Sequence, residues 1–178
     1  ILYQKNANEK LAPASMTKIM SLILIMENIE NGNLKWNDIV VVSKNAASMG
    51  GSQIFLEQNE MMSVEDLVKG ICVASGNDAT VAMAEKIAGT ETAFVKLMNE
   101  KAQSLGLKNT HFVNATGLDA EGHYSSAFDM AVMARELVKH QKILEFSSIY
   151  EDYLRKNTNN SFWLVNTNKV LFEFYDNL

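Results

Sequence analysis

The run from Ser15 to Ile29 constrains this chain more than any other segment. Met16, Ile19, Met20, Ile23, Leu24 and Ile29 recur at helical spacing, and apolar residues occupy nearly every side of the run. A helix that is apolar all round has no face to give to water, so it belongs at the centre of a fold with other elements around it. Pro13 suits its first turn, where a missing N–H costs nothing, and Gly32 ends it. The longest greasy stretch, Ile19 to Met26, falls well short of the roughly 20 residues that a membrane span takes. The helix is therefore read as the core of a globular fold.

Ser15 and Lys18 stand at the start of this helix. Residues three apart lie on one helix face with Cβ atoms about 5–6 Å apart, so the amine reaches the hydroxyl. Serine alone is a weak nucleophile and needs a base within hydrogen-bond reach. The three histidines, His111, His123 and His140, stand in no recognisable triad context, which leaves Lys18 as the candidate base. A neutral amine near pH 7 needs a shift of about 3 units from a free lysine, on the order of 4 kcal/mol. Burial or a second nearby cation supplies shifts of that size. The helix start also brings unpaired N–H groups and the positive dipole end close to Ser15, where an oxyanion would develop.

A second constellation, Ser75-Gly76-Asn77-Asp78, supplies another hydroxyl and a carboxamide in a short turn containing glycine. Taken singly, a Ser-x-x-Lys tetrapeptide is common by chance and a Ser-Gly-Asn turn is ordinary turn chemistry. Context lifts the pair, because a lysine pointing into apolar surroundings is costly unless it has a role. Together the two segments read as a serine acyl-transfer site without histidine.

The rest of the chain predicts a mostly helical middle with strand at both ends. Ile1 to Lys5 reads as the end of a strand, and Ile39 to Val42 as a short strand or extended loop. Ser63 with Asp66 resembles a helix start, and that helix stops at Ser75-Gly76-Asn77. Further helices are expected from about Asp78 to Ala88, from Thr90 to Leu105 with Phe94, Leu97 and Met98 inward, and from Ser125 to His140. The last carries Met130, Val132, Met133 and Leu137 as its apolar set. Tyr150 to Arg155 and Phe162 to Val165 read as two strands around Asn157-Thr158-Asn159-Asn160.

Composition narrows the function class. Hydrophobic residues at 47% and charged residues at 21% fit a globular chain, and 178 residues fit one domain. The net charge of −5 leaves no basic stripe to neutralise phosphates, which argues against a nucleic-acid binder. Cys72, the single cysteine, lies in an apolar stretch and reads as a buried structural thiol. The methionines, Met16, Met20 and Met26 among them, read as core filler, and Trp36 and Trp163 as packing residues, with the rim of the cleft as the alternative place for Trp163. The histidines are scattered, so neither a metal nor a cofactor is expected, and Asp119 with His123 reads as shaping a loop beside the site.

Pro13-Ala14-Ser15-Met16-Thr17-Lys18 and Ala74-Ser75-Gly76-Asn77-Asp78-Ala79 resemble the first two signatures of the low-molecular-mass penicillin-binding proteins, and more narrowly of the D-alanyl-D-alanine carboxypeptidases, the serine peptidases of family S11. Gly51-Ser52-Gln53-Ile54-Phe55-Leu56, Gly106 to Phe112, Thr116-Gly117-Leu118-Asp119, His123 to Ala127 and Asn166-Thr167-Asn168 are similar to family segments in the same order. The resemblance covers essentially the whole chain. It implies a β-lactamase/transpeptidase-like α/β (α+β) fold, with a central helical subdomain flanked by antiparallel strands. Residues 1–178 would form one catalytic domain. Carried over, Ser15 would be the acylated nucleophile and Lys18 its proton acceptor. Ser75 would relay a proton between Lys18 and the leaving amine, and Asn77 would donate its carboxamide to the substrate carbonyl. The implied substrate is the peptidoglycan stem peptide, which loses its terminal D-alanine through an acyl-enzyme. β-Lactams would trap the same serine. The implied location is the outer face of the bacterial cytoplasmic membrane or the cell-wall space.

One family signature, Lys-Thr-Gly, does not occur within these residues. The resemblance places it shortly beyond the segment from Asn166 to Asp176, so the domain is expected to be truncated at both ends and its sheet incomplete. Peripheral membrane association would need a segment absent here. A molecule consisting of these residues alone is expected to turn over little substrate, since losing one oxyanion donor costs about 100–1000-fold. Two other readings stand beside the carboxypeptidase: a catalytically incomplete fragment with a structural or binding role, and a serine β-lactamase of the same superfamily. The turn Ser75-Gly76-Asn77 and the lack of an evident glutamate-bearing deacylation loop disfavour the latter.

Overall fold

A computed structural model describes residues 2–156 and 158–171. They cluster into two compact units. The first comprises the chain up to Leu34 together with Ala84–Lys139, and the second comprises Lys35–Met83 and the chain from His140 onward.

The first unit is built around α1 (Lys18–Glu30), which follows a single 3-10 turn over Ala14–Thr17. Met20, Ile23 and Ile25 are fully buried and Leu22, Leu24 and Met26 nearly so, as expected for a helix apolar on every side. α1 packs against α5 (Glu91–Ser104) and α6 (Ala127–Leu137). Thr90 caps α5 by accepting the Ala93 N–H, and Phe94, Met98 and Ala102 form its inner stripe at four-residue spacing. Leu97, expected inward, lies one residue off that stripe and is partly exposed. α6 begins at Ala127 rather than Ser125, because both backbone groups of Ser125 are bonded to Leu11. Ser126 then caps the helix through the Asp129 N–H. Met130, Met133 and Leu137 are buried as expected, and Val132 is half-buried. The strand expected at the N-terminus does not form over residues 2–5, and Leu2 and Tyr3 are exposed. A strand needs a ladder partner, and none of the described residues pairs with this stretch. Met16 also departs from its expected place in the core, pointing outward at the 3-10 turn.

The second unit holds two antiparallel pairs. β1 (Ile39–Val41) pairs with β2 (Met61–Ser63), with Val40 opposite Met62 and both buried. β3 (Glu151–Leu154) pairs with β4 (Phe162–Val165), with Leu154 opposite Phe162 and Asp152 opposite Leu164. Leu154 and Leu164 face the core, whereas Tyr153 and Trp163 stand opposite one another on the exposed face. Trp163 is thus a surface residue rather than a packing residue, its indole N–H donating to Glu151. Trp36 does pack, edge-on to Phe146. Three elements gave no sequence signal: β2, the short α2 (Lys44–Ala47), and α7 (Gln141–Ser147). α3 (Val64–Ala74) starts where Ser63 accepts the Asp66 N–H and buries Leu67, Val68 and Ile71. α4 (Asn77–Ala88) is separated from the end of α3 by two residues, Ser75 and Gly76, and continues from this unit into the first. Asn157, in the expected turn between β3 and β4, and residues 172–178 lie outside the described residues, as does Ile1.

Candidate active site

Ser15 lies in a 3-10 turn of the first unit, and Lys18 directly follows that turn. The α-helical start expected at Ser15 is instead a 3-10 turn, and in a 3-10 turn side chains three apart eclipse one another. The Lys18 Nζ lies 3.1 Å from the Ser15 Oγ as a result. Ser15 is exposed, whereas Lys18 is only 4% exposed. Burial holds the amine well below its ordinary value of 10.5, at about 8. Its second partner is the carbonyl of Thr116, at 3.0 Å.

That carbonyl is fixed by the loop running from Val113 to His123. Asn114 Oδ1 accepts the N–H groups of Thr116 and Gly117 and the Thr116 hydroxyl, and its Nδ2 donates to Leu118 O. Ser21 donates to Ala115 O, and Thr17 Oγ1 lies 2.8 Å from His123 Nε2. His123 Nδ1 accepts the Val113 N–H, so in the neutral ring Nε2 carries the proton and donates to Thr17. The loop is therefore stapled to the start of α1 at Thr17, Lys18 and Ser21. Gly117 is required in it: φ is +88°, and a Cβ there would come within 1.8 Å of Ala14 O. The signal for this loop was present, since Thr116-Gly117 and His123 fall in segments that carry the resemblance, but nothing in their spacing tied them to Lys18. A cavity of about 440 Å³ opens beside Pro13, Gly117 and His123.

Ser75 and Asn77 belong to the second unit. Ser75 ends α3 in the left-handed region, φ 57° and ψ 34°, a conformation that costs an L-residue on the order of 1 kcal/mol or more. Its N–H still bonds back to Ile71 O. Asn77 opens α4 and is buried; its backbone N–H donates to Ser52 O and its Nδ2 to Gly50 O, both at 2.7 Å. A cavity of about 930 Å³ around Glu57–Met62 and Arg155 is lined by none of Ser15, Lys18, Ser75 and Asn77. Among the described residues no group of acidic, histidine and cysteine side chains is arranged to hold a metal, and no helix is long and apolar enough to cross a membrane.

A lysine at hydrogen-bond distance from an exposed serine has the geometry that a nucleophile and its base require, and comparison with known proteins places the chain in a family. The model of the D-alanyl-D-alanine carboxypeptidase family, peptidase family S11, matches residues 1–178. The chain is 63% identical over 175 residues to the D-alanyl-D-alanine carboxypeptidase DacF of Bacillus subtilis, covering 98% of this chain and 45% of that protein. The fold matches the crystal structure of the D-alanyl-D-alanine carboxypeptidase DacD from Francisella tularensis with a TM-score of 0.90 at 32% identity, covering 98% of this chain and 54% of that one. It also matches penicillin-binding protein D2 of Listeria monocytogenes, in its ampicillin-bound form, with a TM-score of 0.80 at 28% identity over 96% of this chain and 68% of that one. The chain thus spans about half the length or less of the curated relatives it matches, 45% of one and 43% of another. Its α+β fold is that of the penicillin-binding proteins, and the chain belongs to the D-alanyl-D-alanine carboxypeptidase family.

Proposed function

We propose that the protein containing this chain is a serine-type D-alanyl-D-alanine carboxypeptidase that removes the terminal D-alanine of peptidoglycan stem peptides. The observation that carries the reading is the Ser15–Lys18 pair, 3.1 Å apart, with the amine buried and held at about 8. Lys18 takes the Ser15 proton as Oγ attacks the scissile carbonyl, and Ser15 becomes acylated. The bond to the D-alanine nitrogen breaks, and that leaving amine receives a proton. Ser75 is assigned to relay it, on the strength of the family resemblance. Asn77 is assigned to the substrate's backbone carbonyl: one Nδ2 hydrogen is held by Gly50 O, and the other remains to donate. Water then hydrolyses the ester. No metal or cofactor takes part in this scheme. The family assignment supports this reading over a binding remnant.

The same serine is assigned as the target of β-lactams, consistent with the ampicillin-bound relative. The proposed location is the outer face of the bacterial cytoplasmic membrane or the cell-wall space, where the substrate lies. The test is release of D-alanine from a peptide ending in D-alanyl-D-alanine by the full-length protein. Release that Ser15→Ala abolishes supports the reading; release unaffected by Ser15→Ala refutes it.

A further inference from the structure

Asp78 is a buried carboxylate, 1% exposed, directly after Asn77, and no cation pairs with it among the described residues. Its partners are backbone N–H groups. Oδ1 and Oδ2 each lie 3.1 Å from the Ile54 nitrogen, Oδ2 accepts the Leu56 N–H at 3.0 Å, and Oδ1 accepts the Ala79 N–H at 2.9 Å. A carboxylate at the first turn of α4 is also favoured by the positive end of the helix dipole. Asp78 therefore fastens the extended segment 54–56 to the start of the helix that carries Asn77.

From the opposite side Arg155 donates to the carbonyls of Ile54 and Phe55, at 3.1 and 3.2 Å, and is paired with Glu60. The segment is thus held by its N–H groups at Asp78 and by its carbonyls at Arg155. A few residues earlier the same stretch supplies Gly50 O and Ser52 O, the two acceptors of Asn77. Deleting one anchor of a strap displaces everything the strap carries, and here it carries the acceptor that orients the Asn77 amide plane.

We propose that Asp78 is a positioning residue, which sets the orientation of the Asn77 carboxamide through the strap formed by residues 50–56. The inference rests on the proposed role of Asn77 as donor to the substrate's carbonyl. A residue that only stabilised the fold would slow acylation by every acyl donor alike. A residue acting through Asn77 affects only donors that present an acylamino carbonyl to it.

The experiment compares acylation rates of the full-length protein by benzylpenicillin and by 6-aminopenicillanic acid, which has the same nucleus but a free amine in place of the acylamino group. The variants are Asn77→Ala, Asp78→Asn and the double variant. Asp78→Asn is expected to lower the benzylpenicillin rate by about 10-fold or more while changing the 6-aminopenicillanic acid rate by no more than about 2-fold. The double variant is expected to be no more selective than Asn77→Ala alone, as for two residues acting through one contact. Equal losses on both compounds, or none, in Asp78→Asn while Asn77→Ala remains selective would overturn the role of Asp78 and leave that of Asn77 intact. An unselective Asn77→Ala would overturn the reading of Asn77, and the inference with it. Asp78→Ser, which keeps an acceptor oxygen, replaces Asp78→Asn if that variant does not fold. Failure of both to fold would assign Asp78 to stability alone and overturn the proposal.

Discussion

The rate of Ser15 acylation is expected to follow the protonation of Lys18. The amine is buried, its acceptors among the described residues are Ser15 Oγ and Thr116 O, and burial brings it from 10.5 to about 8. At pH 7 an unshifted lysine is neutral in about one molecule in 3000, and one at about 8 in roughly one in eleven, so the fold raises the population of competent base by about 300-fold. Second-order acylation by benzylpenicillin, which reports the free enzyme, should therefore rise about 25-fold between pH 6.5 and 8.5 and flatten above. Stopped-flow or quench mass spectrometry across that range measures it. Stability carries the same shift with a definite sign. Between about 8 and 10.5 the unfolded chain binds the Lys18 proton and the folded chain does not, so stability rises with pH across that window. The rise is on the order of 3 kcal/mol, and Lys18→Met removes it. A flat profile from pH 6.5 to 8.5, or a pH dependence that His123→Gln rather than Lys18→Met abolishes, would refute Lys18 as the proton acceptor.

Gly117→Ala is expected to destabilise the protein by about 3 kcal/mol or more by urea unfolding, since it adds a left-handed penalty to a backbone collision with Ala14 O. A change under about 1 kcal/mol would show that the loop relaxes away from the 3-10 turn. Cys72 is half-buried rather than fully buried, but desolvation pushes its thiol up to about 12, so it is expected to react with iodoacetamide at pH 7.5 more slowly in the folded protein than once urea unfolds it. Equal labelling of folded and unfolded protein would contradict the burial.

Elements with local chemistry were legible in the sequence. The Ser63–Asp66 start of α3, the apolar spacing of α5 and the nearly all-apolar surface of α1 located three helices to within a few residues, because capping and periodicity act over neighbours. Ser15 and Lys18 were legible as a pair for the same reason, although the 3-10 turn that eclipses them was not. What failed depended on distant partners. Met61–Ser63 carries no strand signal of its own and pairs only because Ile39–Val41 lies beside it, and Trp163 reads as a packing residue until the register with Tyr153 turns it outward. The grip of Thr116 O on Lys18 spans 98 residues, and no spacing rule reaches that far. Asp78 was legible as the end of a turn and the start of a helix, but its bonds to the N–H groups of Ile54 and Leu56 reach more than 20 residues back and left no local signal.

The most direct test of the account is the intact mass of the full-length protein after incubation with benzylpenicillin, with peptide mapping of any adduct. A single adduct of one benzylpenicillin on Ser15 is expected, absent in Ser15→Ala and severely slowed in Lys18→Met. An adduct on another residue, or none on a folded protein, would contradict it.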